Sequence, residues 1–204
     1  TTYAEALYIE ENFGVTAYHA FMQNTCRKNI RNDKPLVGNK YATTNEIKGT
    51  EYYYKGAYVL HMLRYLVGYD VLLETLKEFL YTPKSNNNQT TTKEFIKHLE
   101  GNSKMELSWF FNQFVYSEKL PTLYSKSRSY KQGEKQFVEL WWAEPMFPLP
   151  VEVRYKGTYA KEKIQINIGN KPTGISIPSA SVLEIDPQKW LLFNNKNFND
   201  IEKN

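Results

Sequence analysis

Leu107-Ser108-Trp109-Phe110-Phe111-Asn112-Gln113-Phe114-Val115 leads to Leu120-Pro121 and then to Phe137-Val138-Glu139-Leu140-Trp141-Trp142. In the first stretch Leu107, Phe110, Phe111, Phe114 and Val115 fall on one stripe at three- and four-residue spacing, so an aromatic helical face must bury against its neighbours. In the last, Phe137, Glu139 and Trp141 alternate with Val138, Leu140 and Trp142, the two-residue period of a strand. The period switches at Leu120-Pro121. The chain is therefore expected to be α+β, with helices over 1–119, a β domain over 120–198 and a short tail over 199–204.

Working back from the switch, the helical signature repeats. Leu7, Tyr8 and Phe13 pattern a helix that Gly14 is expected to stop, because glycine reaches the left-handed region without steric cost. A second helix is expected over about 16–29. Asn32-Asp33, Pro35, Gly38 and Asn39 mark 31–50 as an ordered crossing loop. Val59, Leu60, Leu63 and Leu66 then line one face of a core helix over 52–66. Gly68-Tyr69-Asp70 turns into another, with Leu72, Leu73, Leu76, Phe79 and Leu80 on its buried side and Pro83 past its end. Ser85 to Gln89 reads as a surface loop. There Asn88-Gln89-Thr90 fits the N-glycosylation triplet, which matters only in a glycosylating secretory route. Thr91-Thr92-Lys93-Glu94 spells a capping box, Phe95, Ile96 and Leu99 continue that helix, and Gly101 is expected to close it.

Working forward, Val151 and Val153 alternate with Glu152 and Arg154, and Ile164, Ile166 and Ile168 with Gln165 and Asn167. Turn residues separate the strands at Gln132-Gly133, Lys156-Gly157, Gly169-Asn170 and Pro172-Thr173-Gly174. Short strands at this spacing, polar on one face, predict a small antiparallel β-sandwich. Asp186-Pro187 is expected to lead into a final strand, Trp190-Leu191-Leu192-Phe193, and the polar chain beyond Asn194 to fray.

Composition excludes several classes. With 41% hydrophobic and 24% charged residues, the chain can bury a core and is neither disordered nor fibrous. Its net charge of +4 is dispersed, with no Lys/Arg block to track a phosphate backbone, so a nucleic-acid partner is not expected. No apolar run approaches the roughly 20 residues of a membrane-spanning helix. Cys26 is the sole cysteine, which rules out an intrachain disulfide and a cysteine-based zinc knuckle. His19, His61 and His98 are far apart, and none belongs to an H-E-x-x-H pair that would place two ligands on one helical face. His61, between Leu60 and Met62, reads as structural. Glu10-Glu11-Asn12 reads as a solvated helix end. There is no glycine-rich phosphate loop and no Gly-x-Ser-x-Gly elbow.

What remains is Glu51-Tyr52-Tyr53-Tyr54-Lys55-Gly56-Ala57, where a loop enters a core helix. A tyrosine there can pack its ring and keep its hydroxyl available, but three tyrosines covering a helix start would look the same. The run Tyr53-Tyr54-Lys55-Gly56-Ala57, followed by Val59-Leu60-His61-Met62-Leu63-Arg64, resembles the Y-x-K-G motif and following helix of the aminopeptidase N family of zinc metallopeptidases (gluzincins), shared with leukotriene hydrolases. Thr1-Thr2-Tyr3-Ala4-Glu5-Ala6-Leu7 is similar to the segment just after that family's W-L-x-E-x-F motif. Lys28-Asn29-Ile30-Arg31-Asn32-Asp33-Lys34-Pro35-Leu36-Val37-Gly38 resembles the loop between these motifs in bacterial members. Leu107 to Phe114 and Pro148-Leu149-Pro150-Val151 fit the same family less specifically.

The resemblance implies the helical half of a thermolysin-like catalytic domain followed by a β-sandwich. It implies Tyr53 as the catalytic, oxyanion-stabilising tyrosine and Glu5 as a candidate for orienting the metal ligands, the alternative being a structural helix carboxylate. The family's zinc is held by two histidines of H-E-x-x-H and a glutamate that aligns three positions before Thr1, so no metal ligand and no bound cofactor is expected within this chain. The opening residues read as the middle of a helix, as in a piece of a longer protein. The expected function is that of a zinc aminopeptidase fragment, inactive alone, whose partners are the upstream half of the catalytic domain and, in the parent, a peptide substrate. The alternatives are a non-catalytic relative serving as a protein-interaction scaffold and an independent helical-plus-sandwich binding module. Resemblance to exported bacterial members implies a periplasmic or secreted location.

Overall fold

Gly14 takes φ 84° and ψ 170° in the computed structural model of the chain, a region essentially reserved for glycine, and splits α1 (Thr2–Phe21) into two helical pieces. The expected stop and restart therefore lie inside one element. The structure describes residues 1–38, 49–81, 90–129, 135–143, 149–156, 161–178 and 181–197. Half of the crossing loop (39–48), Pro83, the loop carrying Asn88, the turns at Gln132-Gly133 and Gly157, Pro148, and the tail over 199–204 lie outside the described residues. Two units make up the chain, Thr1–Lys119 and Leu120–Asn204.

In the first unit, α1 runs on into a π-helical turn (Met22–Cys26) and a 3-10 turn (Arg27–Asn29). Tyr18, Met22 and Cys26 are buried on that side, and α2 (Thr50–Val67) packs there through Tyr58, Met62 and Leu63. Gly68, at φ 91°, ends α2 and starts α3 (Tyr69–Tyr81). Leu72 is the buried centre of α3, but Leu80, expected inside, is exposed in the last turn. The capping box of α4 (Thr92–Ser103) forms as read: Glu94 N donates to Thr91 Oγ1 at 3.2 Å and Thr91 N to the Glu94 carboxylate at 2.7 Å. Gly101 does not close α4. It stays helical, and the left-handed residue is Lys104 (φ 57°), whose N–H donates to Glu100 O at 3.0 Å while its Nζ holds Gly101 O at 2.6 Å. A glycine permits that conformation but does not impose it. In α5 (Ser108–Phe114) Phe110, Phe111 and Phe114 are all buried, and Phe111 meets Phe95 of α4 edge to face at 6.4 Å.

The second unit holds two sheets. The first, in order β5-β2-β1-β7, is built from β1 (Thr122–Ser129), β2 (Lys135–Trp142), β5 (Thr173–Pro178) and β7 (Asn194–Asn197). In the second, β3 (Leu149–Lys156) lies between β4 (Lys161–Ile168) and β6 (Val182–Ile185). Val138, Leu140 and Trp142 are buried while their neighbours on β2 are not, as the alternation predicts. The helices followed by antiparallel-rich sheets make the fold α+β.

Three β expectations fail. Gly174 belongs to β5 rather than to a turn, and a Cβ there would fall 2.0 Å from the Phe137 ring of β2, so the ring lies over bare backbone. The Trp190 to Phe193 run is not a strand. Trp190 N and Leu191 N both donate to the buried Asp186 carboxylate, at 2.8 and 2.9 Å, which curls the chain and buries Leu191 and Leu192. The strand follows it: Asn194–Asn197 pairs in parallel with β1, where a frayed tail was expected.

Candidate active site

At the start of α2, Glu51 and Lys55 lie one turn apart, so both face the same way. That way is inward: Glu51 and Lys55 are 2% and 1% exposed. Glu51 Oε1 accepts the backbone N–H groups of Arg31 and Asn32 at 2.5 and 3.0 Å. Lys55 Nζ donates to Ser117 O at 3.1 Å and reaches Lys34 O at 3.5 Å. Leu36 N and Val37 N donate to Val115 O at 2.9 and 3.2 Å, and the Asn32 side-chain amide donates to Glu118 O. One carboxylate and one ammonium thus fasten the entry of α2 to two segments that are remote in sequence. Burial pulls the Lys55 pKa below its ordinary value, while the charges of Glu51, Asp33 and Glu118 pull it back up.

The tyrosines point elsewhere. At about 100° per residue, Tyr53 sits on the opposite side of α2 from Lys55. Tyr53 and Tyr52 are each 58% exposed, with ring centroids 6.4 Å apart, and Tyr54 is half-buried. Exposure alone does not separate Tyr53 from Tyr52. Lys55 anchors the helix, and Tyr53 stands exposed on the far face.

Glu5 is exposed in the first turn of α1. Its charge reaches Cys26, which is fully buried; burial first, and Glu5 second, push the Cys26 thiol up to about 12. An unfolded cysteine ionises near about 8.5. The protonated thiol therefore favours the folded state at and below that pH, and the contribution fades as pH rises from about 8.5 towards 12. A disulfide-exchange reagent at pH 8 should leave Cys26 unmodified in the native protein and label it fully in urea. Fast stoichiometric labelling without urea would contradict this burial.

The histidines form no ligand set. Tyr18 Oη and His61 Nδ1 are 2.6 Å apart, and His61 is buried against the rings of Tyr18, Tyr58 and His19 at centroid distances of 5.4, 5.1 and 5.9 Å. This gives His61 the structural role read from its neighbours. His98 lies elsewhere, 3.2 Å from Glu78. Glu10, expected to be solvated, is instead held in two-point contact by Arg64, at 2.5 and 2.8 Å. Nothing in the sequence near Glu10 announces a partner 54 residues away. The Glu51–Lys55 pair did carry a signal, an i,i+4 Glu-to-Lys spacing, but its burial was not legible.

Among the described residues no group of three or more His, Cys, Asp or Glu side chains could hold a metal ion. These residues do not fit a zinc centre. The described surface offers instead a free phenol on a rigidly seated helix, able to donate one hydrogen bond to an oxygen that gains charge.

Residues 1–114 match the model of the Peptidase family M1 domain. The fold is similar to the crystal structure of Legionella pneumophila aminopeptidase A in complex with aspartic acid, with a TM-score of 0.67 and 15% identity over 96% of this chain. At that identity the likeness shows the fold alone. The chain spans 23% of the length of that protein. No curated protein matches the sequence. The family match covers more than half of the chain, from the first turn of α1 to the end of α5, and on that ground the chain belongs to peptidase family M1.

Proposed function

We propose that this chain is one part of a larger zinc aminopeptidase, to which it contributes the oxyanion-stabilising Tyr53 while the zinc ligands lie outside it, so that the chain alone is inactive. The observation that supports this reading is Tyr53 exposed on the helix face opposite the buried Lys55 anchor, inside the stretch that matches the family. The substrate is a peptide, cleaved after its N-terminal residue. When a water oxygen bonds to the peptide carbonyl carbon, the carbonyl π pair moves onto oxygen. The Tyr53 O–H donates a hydrogen bond to that oxygen and favours the charged state over the neutral one. Glu5, on the exposed face of α1, orients the metal ligands of the neighbouring segment. The whole protein works in the periplasm or outside the cell.

In the whole protein, an aminoacyl reporter is hydrolysed, a chelator abolishes the reaction, and zinc restores it. The isolated chain of 204 residues hydrolyses nothing. A sequence before Thr1 without H-E-x-x-H would overturn the enzyme reading in favour of a non-catalytic scaffold. Stoichiometric zinc with activity in the isolated chain would overturn the division of labour.

A further inference from the structure

Glu51 and Lys55 take no part in the chemistry described above, yet both are charged, nearly fully buried and one turn from the tyrosines. Burying an ammonium and a carboxylate is costly unless partners compensate them. The partners here are backbone groups: Arg31 N and Asn32 N for Glu51, Ser117 O and Lys34 O for Lys55. Such contacts fix the height and rotation of a helix against two fixed strands of backbone, which a hydrophobic pair of the same volume would not do. Helix α2 enters from Gly49 with no side-chain cap at its N-terminus. Its first turn therefore has these two side chains to hold it in register.

We propose that Glu51 and Lys55 are positioning residues for Tyr53: a buried two-point latch that sets the rotation of the first turn of α2 and so aims the Tyr53 hydroxyl. The proposal rests on the oxyanion role of Tyr53. A helix rotated by a fraction of its 100° step carries a tyrosine hydroxyl, at the end of a long side chain, through more than 1 Å. A misplacement of that size costs about a hundredfold in rate. The latch acts on the aim of one donor and leaves the substrate-holding surfaces alone, so its loss lowers kcat and spares KM.

The test uses Lys55→Met and the milder Glu51→Gln in the whole protein, each alone and with Tyr53→Phe, with folding checked by circular dichroism. Lys55→Met should lower kcat between ten- and a hundredfold with KM within about twofold. Combined with Tyr53→Phe it should cost no more than about twofold further, because a donor that is gone cannot be misaimed. Equal losses in both backgrounds, or a raised KM at constant kcat, would overturn the latch while leaving the Tyr53 reading intact. Fluorotyrosine at position 53 provides a readout that needs no activity: Lys55→Met or Glu51→Gln should shift or broaden its fluorine resonance. An unmoved resonance in both folded variants sinks the proposal, whatever Tyr53 itself does. If Lys55→Met does not fold, Glu51→Gln carries the same comparisons.

Discussion

On the proposed oxyanion role, Tyr53→Phe in the whole protein is expected to lower kcat by about two to three decades without changing the zinc content. The substitution removes one oxygen and leaves the ring, so packing beside Tyr52 is retained. What is lost is a hydrogen bond that is stronger to an oxyanion than to a neutral carbonyl, and losing one such donor typically costs about 3 to 4 kcal/mol of transition-state stabilisation. Because the ground-state carbonyl gains little from the same donor, KM should move far less than kcat. Tyr52→Phe is the control, since Tyr52 is as exposed as Tyr53 and differs only in register. Turnover of Tyr53→Phe within about twofold of the parent would remove it from the oxyanion role, given the decades expected of such a donor. A large loss in Tyr52→Phe with little in Tyr53→Phe would move the role by one residue.

Arg64→Met should destabilise the helical unit strongly without touching any residue expected to act in catalysis. The Arg64 guanidinium clamps Glu10 across from α2 to α1, and it also lies over the rings of Tyr18 and Tyr69 at 4.6 and 4.4 Å. The side chains of the pair are only 12% and 19% exposed. Burial is the largest single influence and works against the Arg64 charge, yet the hydrogen bond to Glu10 and the electrostatic pull of Tyr18, Glu10 and Tyr3 together outweigh it and hold the pKa above the usual arginine value. Methionine fills much of the same space, but it leaves Glu10 a partly buried, uncompensated carboxylate, at a cost of about 3 kcal/mol. For a chain of this size that is roughly 6 to 12 °C in melting temperature. Arg64→Met combined with Glu10→Leu should recover much of the loss, because the desolvation penalty leaves with the charge. A single variant that loses less than about 1 kcal/mol, or a double variant no better than the single, would show that the pair contributes only as a solvated surface bridge does.

Where hydrophobic period was strong, the sequence was readable. The stripe of Phe110, Phe111 and Phe114 and the alternation of Val138, Leu140 and Trp142 both announce buried faces, and both are buried. The capping box at Thr91 could be read to the residue because its partners are three apart. Elements whose reason lies far along the chain were not legible. β1 is Thr-Leu-Tyr-Ser-Lys-Ser-Arg-Ser, with little apolar alternation, and is a strand because β2 and β7 pair with it on either side. β7 is asparagine-rich and exposed, and backbone pairing with β1 sets its place. Glu10 looked solvated because Arg64 is remote. At the candidate site, the motif singles out Tyr53 as the proposed donor, whereas the depth of Glu51 and Lys55 depends on backbone from residues 31–34 and 117 folding over them.

The parallel pairing of β7 with β1 sets an order of assembly. β1 starts at residue 122 and its outer neighbour ends at residue 197, so the partner that pairs with its first half leaves the ribosome after the other described strands of the sheet. Until then one row of β1 amides and carbonyls is open to any extended chain nearby. Contacts of such long sequence separation are slow to form, because loop closure must be accomplished before they contribute anything. During synthesis, then, β1 waits with an open edge until the asparagine-rich Asn194–Asn197 emerges to pair with it.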